Sequence, residues 1–292
     1  MSVGLDRTAA SLFSTALLRP VVRGKPHPLL NARLEEYRLD ASATHCSNSD
    51  VLRSAYARLQ RRYRNEYVYK NSIAQRLFIG RHKASNAAFL QEVPVQGSVA
   101  DCLFVNGGVT VYEIKTELDS SARLRSQVED YYRVANQVFI VTHRTLEETY
   151  RELLADLPVG LIVMNRSWGM STRKPATEHT AELDHQALFD LLRVDERRSA
   201  LERASTSVPD VPNGKRHAAW LEKAKQIQVR QFQTFVASEL KNRQRTLPDL
   251  VVRDPKAAPL RSALLKIGVS SGRESGNVDR WLREETKCTS HT

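Results

Sequence analysis

Two valine-rich runs, Val99-Ala-Asp-Cys-Leu-Phe-Val105 and Val109-Thr-Val-Tyr-Glu-Ile-Lys115, flank Asn106-Gly107-Gly108 and read as a β-hairpin. A strand near 89–95 precedes it. Leu124, Val128 and Tyr132 then recur at helical spacing within a segment of about 120–135, giving a stripe suited to packing on a sheet. A strand over 138–143, a helix over 145–156 and the apolar run Val159-Gly-Leu-Ile-Val-Met164 follow. That order extends the sheet at a parallel edge through a β-α-β crossover. Residues 168–180 read as loop or short strand, and 184–194 as a helix. Upstream, helices are expected at 49–63 and Asn65–Ile79, after a mixed segment 1–48 in which Lys25-Pro-His-Pro28 reads as a turn. Serine, proline, asparagine and glycine in 204–214 have a linker composition. Beyond it Trp220, Ala224, Ile227, Gln231 and Phe235 trace one helical stripe. A further helical piece is expected near 259–267, then a polar tail.

The expected fold class is therefore α/β with a mixed sheet and helical N- and C-terminal extensions. Expected boundaries are a helical extension 1–63, a core with its β-α-β extension 64–195, a linker 196–214 and a basic helical region 215–292. No internal repeat is present.

The hairpin carries the candidate chemistry. With a three-residue loop, Val105 pairs with Val109 and counting outward sets Asp101 opposite Glu113. A two-residue loop would send the two acids to opposite faces. Gly107 or Gly108 can supply the left-handed position that three-residue loops favour. Opposed residues have Cβ atoms about 4.5–5.5 Å apart, close enough to share a cation. Lys115, two residues on, faces the same way as Glu113, and Ile114 is expected to point into the core with Val111. A carboxylate pair beside a lysine suits metal-assisted cleavage of a phosphodiester. The pair holds the metal, and the lysine orients water or meets charge on the phosphate. The bland reading is a lysine neutralising two acids on a solvated face.

Supporting groups follow. Asp119 or Ser120 is placed to cap the next helix, on which Arg123, Gln127 and Tyr131 recur every four residues. Arg123 is a candidate phosphate clamp. Gln127 and Tyr131 are candidates to hold the lysine, a water or a substrate phosphate. Glu66 is either an extra metal ligand or the partner of Lys70 in an i,i+4 ion pair. Glu92 shares the parity of Leu90, so a core-facing Leu90 implies a core-facing Glu92.

Gly97-Ser-Val-Ala-Asp101, Glu113-Ile-Lys115 and Gln127-Val-Glu-Asp-Tyr131 together resemble the PD-(D/E)XK nuclease superfamily. The last motif is similar to the Gln-x-x-x-Tyr element of its RecB-like and Cas4-like branches. The string from Arg64 to His143 also resembles a bacterial family of small members of this kind. The resemblance covers about 80 of the 292 residues, and Ala100 stands where the eponymous proline would be. It implies a restriction-endonuclease-like αβββαβ core and a Mg²⁺ cofactor, replaceable by Mn²⁺. The implied metal ligands are Asp101, Glu113, the Ile114 carbonyl and Glu66, with Lys115 catalytic beside Gln127 and Tyr131. It also implies work in bacterial defence or on mobile elements.

Composition fits a polyanion partner. Forty-four basic against thirty-three acidic side chains leave a net charge of +11. Arg61, Arg62 and Arg64 precede the first core helix and are candidate nucleic-acid contacts with Arg123, while Tyr63, Tyr67 and Tyr69 interleave as candidate stacking groups. Residues 215–245 hold eight bases against two acids. DNA is the expected substrate ahead of RNA, with a partner protein or a homo-oligomer allowed. The alternative is a nucleic-acid-binding or scaffold subunit that keeps the fold without cutting. Cys46, Cys102 and Cys288 lack disulfide or zinc spacing. His143 reads as structural, no run approaches a membrane span, and a reducing cytoplasm is the expected setting.

Overall fold

In the computed structural model the described residues are 2–25, 27–40, 47–80, 87–117, 119–205, 207–244 and 246–285. Cys46, Cys288 and the end of the polar tail lie outside them. The chain divides into two compact units, Asn86–Arg245 and a second made of Met1–Ser85 with Thr246–Thr292.

The second unit is helical among its described residues. Its first part holds α1 (Ser2–Ser11), α2 (Thr15–Val22), α3 (Pro28–Asp40), α4 (Asn48–Arg62) and α5 (Glu66–Ile73), which runs on as π-helix over Ala74–Ile79. Ser47 and Asp50 form a capping box at the start of α4, satisfying two of the N–H groups a helix start leaves open. Phe13, Tyr56 and Tyr67 pack ring against ring, and the Tyr67 hydroxyl donates to the Pro259 carbonyl at 2.6 Å.

The first unit is built on a six-stranded sheet in sequence order: β1 (Ala88–Val95), β2 (Ser98–Val105), β3 (Val109–Lys115), β4 (Gln137–His143), β5 (Gly160–Met164) and β6 (Met170–Lys174). β1 to β3 are antiparallel neighbours, β3–β4 and β4–β5 are parallel, and β6 returns antiparallel. The parallel pairs are bridged by α6 (Leu124–Tyr132) and by α7 (Glu147–Leu153). The helices α8 (His185–Asp190), α9 (Val194–Arg203), α10 (Asn213–Ala224) and α11 (Val229–Asn242) complete the unit, and α12 (Asp249–Val252), α13 (Arg261–Ile267) and α14 (Gly272–Arg283) belong to the helical one. One core joins Val109, Val111, Val138 and Ile140 of the sheet to Val128 and Tyr131 of α6, Trp220 of α10 and Phe232 and Val236 of α11. Burial of this apolar area, at about 25 cal/mol per Å², is the main stabilising term.

Gln244 closes the first edge of the sheet. Its side chain accepts the Phe89 N–H at 2.7 Å and donates to the Phe89 carbonyl at 2.8 Å, doing for β1 what another strand would do. Gly160 is required by its neighbour: a Cβ there would stand 2.4 Å from the Phe139 ring on the adjacent strand.

Several expectations change. The helix α9 starts in the expected core and takes up residues 196–203 of the expected linker, and α10 and α11 join the sheet unit, so 215–292 is not one region. The single stripe from Trp220 to Phe235 is two helices, broken where the Gln228 side chain accepts the Gln231 N–H. The second helix buries Phe232, Val236 and Leu240, and Gln231 is exposed. The helix α14 lies in what read as polar tail. Its Ser271–Glu274 capping box and the buried Val278, Trp281 and Leu282 were readable signals. Asp119 accepts the Thr116 N–H and hydroxyl at 2.7 Å and so closes the turn after β3, and α6 starts at Leu124 without a side-chain cap. Ile114 and Val111 have opposite parity. Val111 packs under α6 on the face that carries Glu113, and Ile114 is buried on the other face.

Candidate active site

The hairpin turns as the three-residue loop requires. Val105 pairs with Val109, Asn106 N–H donates to the Gly108 carbonyl, and Gly107 takes φ 74°. The Asn136 side chain accepts the Val109 N–H at 2.9 Å and fixes the loop to the start of β4. Pairing of β2 with β3 runs to Cys102↔Tyr112. One step further, in register with Glu113, the Asp101 carboxylate replaces a backbone partner and accepts the Ile114 N–H at 2.8 Å.

The other side of Asp101 is also irregular. β1 and β2 pair at Gln91↔Cys102 and again at Val93↔Ala100, skipping Glu92 and Asp101. Glu92 sits at φ 52°, a conformation that L side chains rarely adopt. It reverses the alternation of β1: Ala88 joins the core before it, Val93 and Val95 after it. Glu92 is therefore exposed, and the parity argument from Leu90 fails for this local reason.

Glu113, 4% exposed, and Lys115, 6% exposed, are buried charges at the C-terminal end of β3. Their burial is tolerated because each is hydrogen-bonded. Lys115 Nζ donates to Glu113 Oε1 at 3.0 Å and to Gln127 Oε1 at 2.8 Å. Gln127 Nε2 donates to the same Glu113 oxygen at 2.8 Å. The Tyr131 hydroxyl lies 2.7 Å from Glu113 Oε2 and 3.0 Å from the Val99 carbonyl. Burial, then the Glu113 charge, push the Tyr131 phenol well above its ordinary value, so it stays protonated and serves as a donor. The turn from Gln127 to Tyr131 brings both side chains over one carboxylate because residues four apart share a helix face. Thr142 of β4 donates to the Lys115 carbonyl at 2.7 Å, holding the strand end in place.

Asp101, Glu113, Lys115, Gln127 and Tyr131 are thus brought together. Arg123 precedes α6 and is exposed. Glu66 belongs to the helical unit, where it pairs with the buried Lys70 one turn away. Arg61 and Arg62 are exposed at the end of α4, and Arg64 is half-buried. Tyr67 and Tyr69 are packing groups rather than stacking platforms, Tyr69 being buried. Part of the basic excess at 215–245 is used internally: Arg243 grips Glu196 at 2.5 and 2.8 Å and donates to the Leu191 carbonyl. His143 is buried, with Nδ1 3.0 Å from the Thr145 hydroxyl.

The model of the family described as bacteriophage P4 protein cII matches residues 60–263. The chain belongs to this family. The match takes in the whole sheet unit and every expected site residue from Arg61 to Tyr131. No curated protein and no solved structure matches the cII-family chain. Among its described residues no three His, Cys, Asp or Glu side chains cluster as a metal site, and no helix is long and apolar enough to cross a membrane.

Oxygen donors decide which ion could bind. Two carboxylates suit a hard divalent cation, and Mg²⁺ commonly takes only one or two, completing its shell with water and phosphate. Glu113 accepts three donors in this geometry, out of about four lone-pair sites on a carboxylate. About one site on Glu113 is left, so a Mg²⁺ or Mn²⁺ ion between Asp101 and Glu113 would take most of its ligands from water and substrate.

Proposed function

We propose that the chain is a metal-dependent nuclease that hydrolyses phosphodiester bonds of nucleic acid, DNA ahead of RNA, on a restriction-endonuclease-like core. The observation that carries the reading is the buried Glu113–Lys115–Gln127–Tyr131 network beside Asp101, at the end of the strand where antiparallel pairing gives way to parallel. Ligand sites of α/β sheets favour such strand ends. Order and direction of β1 to β4, with α6 between the last two, fit the αβββαβ core.

Asp101, Glu113 and the Ile114 carbonyl would hold Mg²⁺. Bound there, the ion would polarise the phosphate and lower the pKa of a water. Lys115 holds a positive charge two residues from the proposed ligand and supplies an N–H donor to a phosphate oxygen or to the attacking water. Gln127 fixes the lysine, and Tyr131 keeps the Glu113 carboxylate in one orientation. The exposed Arg61, Arg62 and Arg123 would contact the phosphate backbone, in a manner that weakens with salt. The phage name of the family suits a role in mobile-element biology or in defence against it.

A second reading, a nucleic-acid-binding or scaffold subunit without cleavage, is favoured by the three internal donors that already serve Glu113. Plasmid and single-stranded DNA incubated with Mg²⁺ or Mn²⁺, beside Lys115→Ala and Glu113→Gln, separate the two. Cleavage by wild type alone supports the nuclease. Binding without cleavage by any of the three supports the scaffold.

A further inference from the structure

Away from the hairpin, α9 and α10 border a half-open cavity of about 340 Å³ lined by Val194, Arg197, Asn213, Arg216, His217 and Trp220. Two guanidinium groups and an imidazole line it, and its lining contains no carboxylate. The arginines are held in place by their inner nitrogens. Arg216 Nε donates to the Val211 carbonyl at 3.3 Å, with its guanidinium carbon 5.9 Å from the Trp220 ring centre. Arg197 Nε donates to the Phe189 carbonyl at 3.1 Å and lies 4.7 Å over the Phe189 ring. Asp190, outside the lining, partly balances the charge: its Oδ1 is 2.7 Å from His217 Nε2 and 3.6 Å from Arg197 Nη2.

Among the described residues Arg216 makes its one hydrogen bond through Nε, so its two Nη groups keep the donors that match phosphate oxygens. Asn213 opens α10, whose first turn holds no acid and whose N-terminus has no side-chain cap. The half-exposed Val194 adds an apolar wall. The volume is at the lower end of small-molecule pockets, about 300–1,000 Å³, and exceeds what a bare phosphate needs.

We propose that this cavity binds a small phosphorylated ligand of mononucleotide size. Its phosphate would lie between Arg197 and Arg216 and its less polar part against Val194. The site is separate from the carboxylate network and does not depend on the nuclease reading.

The test is calorimetric titration of the full chain in EDTA, which removes any phosphate binding through a metal. Inorganic phosphate, thymidine monophosphate and a short thymidine oligonucleotide are compared. Wild type is expected to bind the monophosphate more tightly than inorganic phosphate. Arg216→Gln and Arg197→Gln should each weaken it about tenfold or more, the loss of a charge-assisted pair. Arg230→Gln, the same charge change on an exposed residue outside the cavity, should leave binding unchanged. Circular dichroism and melting confirm that each variant is folded, and Arg216→Lys asks whether the fork matters beyond its charge. Absence of monophosphate binding, or equal loss in all three neutral variants, overturns the proposal. Binding of the oligonucleotide alone also overturns it, since the ligand would then be a strand.

Discussion

Replacing Lys115 with Met tests how the candidate site is held together. The side chain is nearly isosteric, so the change removes a charge and two hydrogen bonds, to Glu113 at 3.0 Å and to Gln127 at 2.8 Å, with little loss of volume. Glu113, 5% exposed at its side chain, is left as a buried carboxylate without its cation. Breaking a buried ion pair from one side costs about 3–5 kcal/mol. Gln127 and Tyr131 still donate to Glu113, which favours the lower end, about 3 kcal/mol. Against a total stability of about 5–15 kcal/mol the loss is easily measured by urea unfolding followed by circular dichroism.

Mg²⁺ adds the decisive comparison. A ligand at about 100 times its Kd stabilises the folded state by about 2.7 kcal/mol. In Lys115→Met the ion also restores a positive charge beside Glu113, so Mg²⁺ should stabilise the variant more than wild type. The double variant Glu113→Gln with Lys115→Met should recover much of the loss in EDTA, because no unpaired charge remains. A single variant within about 0.5 kcal/mol of wild type, the ordinary range of surface changes, would refute the reasoning about buried charge. An absence of any Mg²⁺ effect in both proteins would refute the metal assignment.

Other outcomes are expected elsewhere in the sheet unit. Gln244→Leu removes two hydrogen bonds to the backbone of the buried Phe89, at about 0.5–1.5 kcal/mol each, and should lower the urea midpoint and speed amide exchange in β1. Burial alone would raise the Glu196 carboxyl, but the Arg243 bonds and the Arg193 N–H hold it below its ordinary 4.5. Its contribution is therefore present above about pH 4.5 and lost as pH falls through the depressed value. Melting from pH 7 to 3 should show a smaller acid loss in Glu196→Gln than in wild type.

The sheet was largely readable because its signals are local. Valine runs, a glycine pair and an odd loop length set the register of β2 and β3, and the register sets which side chains share a face. Gln127 and Tyr131 were readable from helical spacing alone. What escaped depends on single residues breaking a period. Glu92 at φ 52° reverses the parity of β1, and no feature of its neighbours in sequence announces that. The stripe from Trp220 to Phe235 hid a helix boundary because both halves are apolar. The capture of α10 and α11 by the sheet unit depends on long-range packing of Trp220 and Phe232. Such contacts leave no local trace.

Sequential strand order lets each new strand dock on the one made just before it during synthesis, so the sheet can grow rung by rung as the chain emerges. The exception is the outer margin of β1, whose guard is Gln244, 155 positions further along. Until that residue is made, β1 lacks the two bonds that Gln244 gives to Phe89, and this margin is less guarded against an extended segment nearby. Fragments that keep α11 and stop just short of Gln244 should therefore associate through this margin, and a light-scattering comparison of fragments ending before and after residue 244 would reveal it.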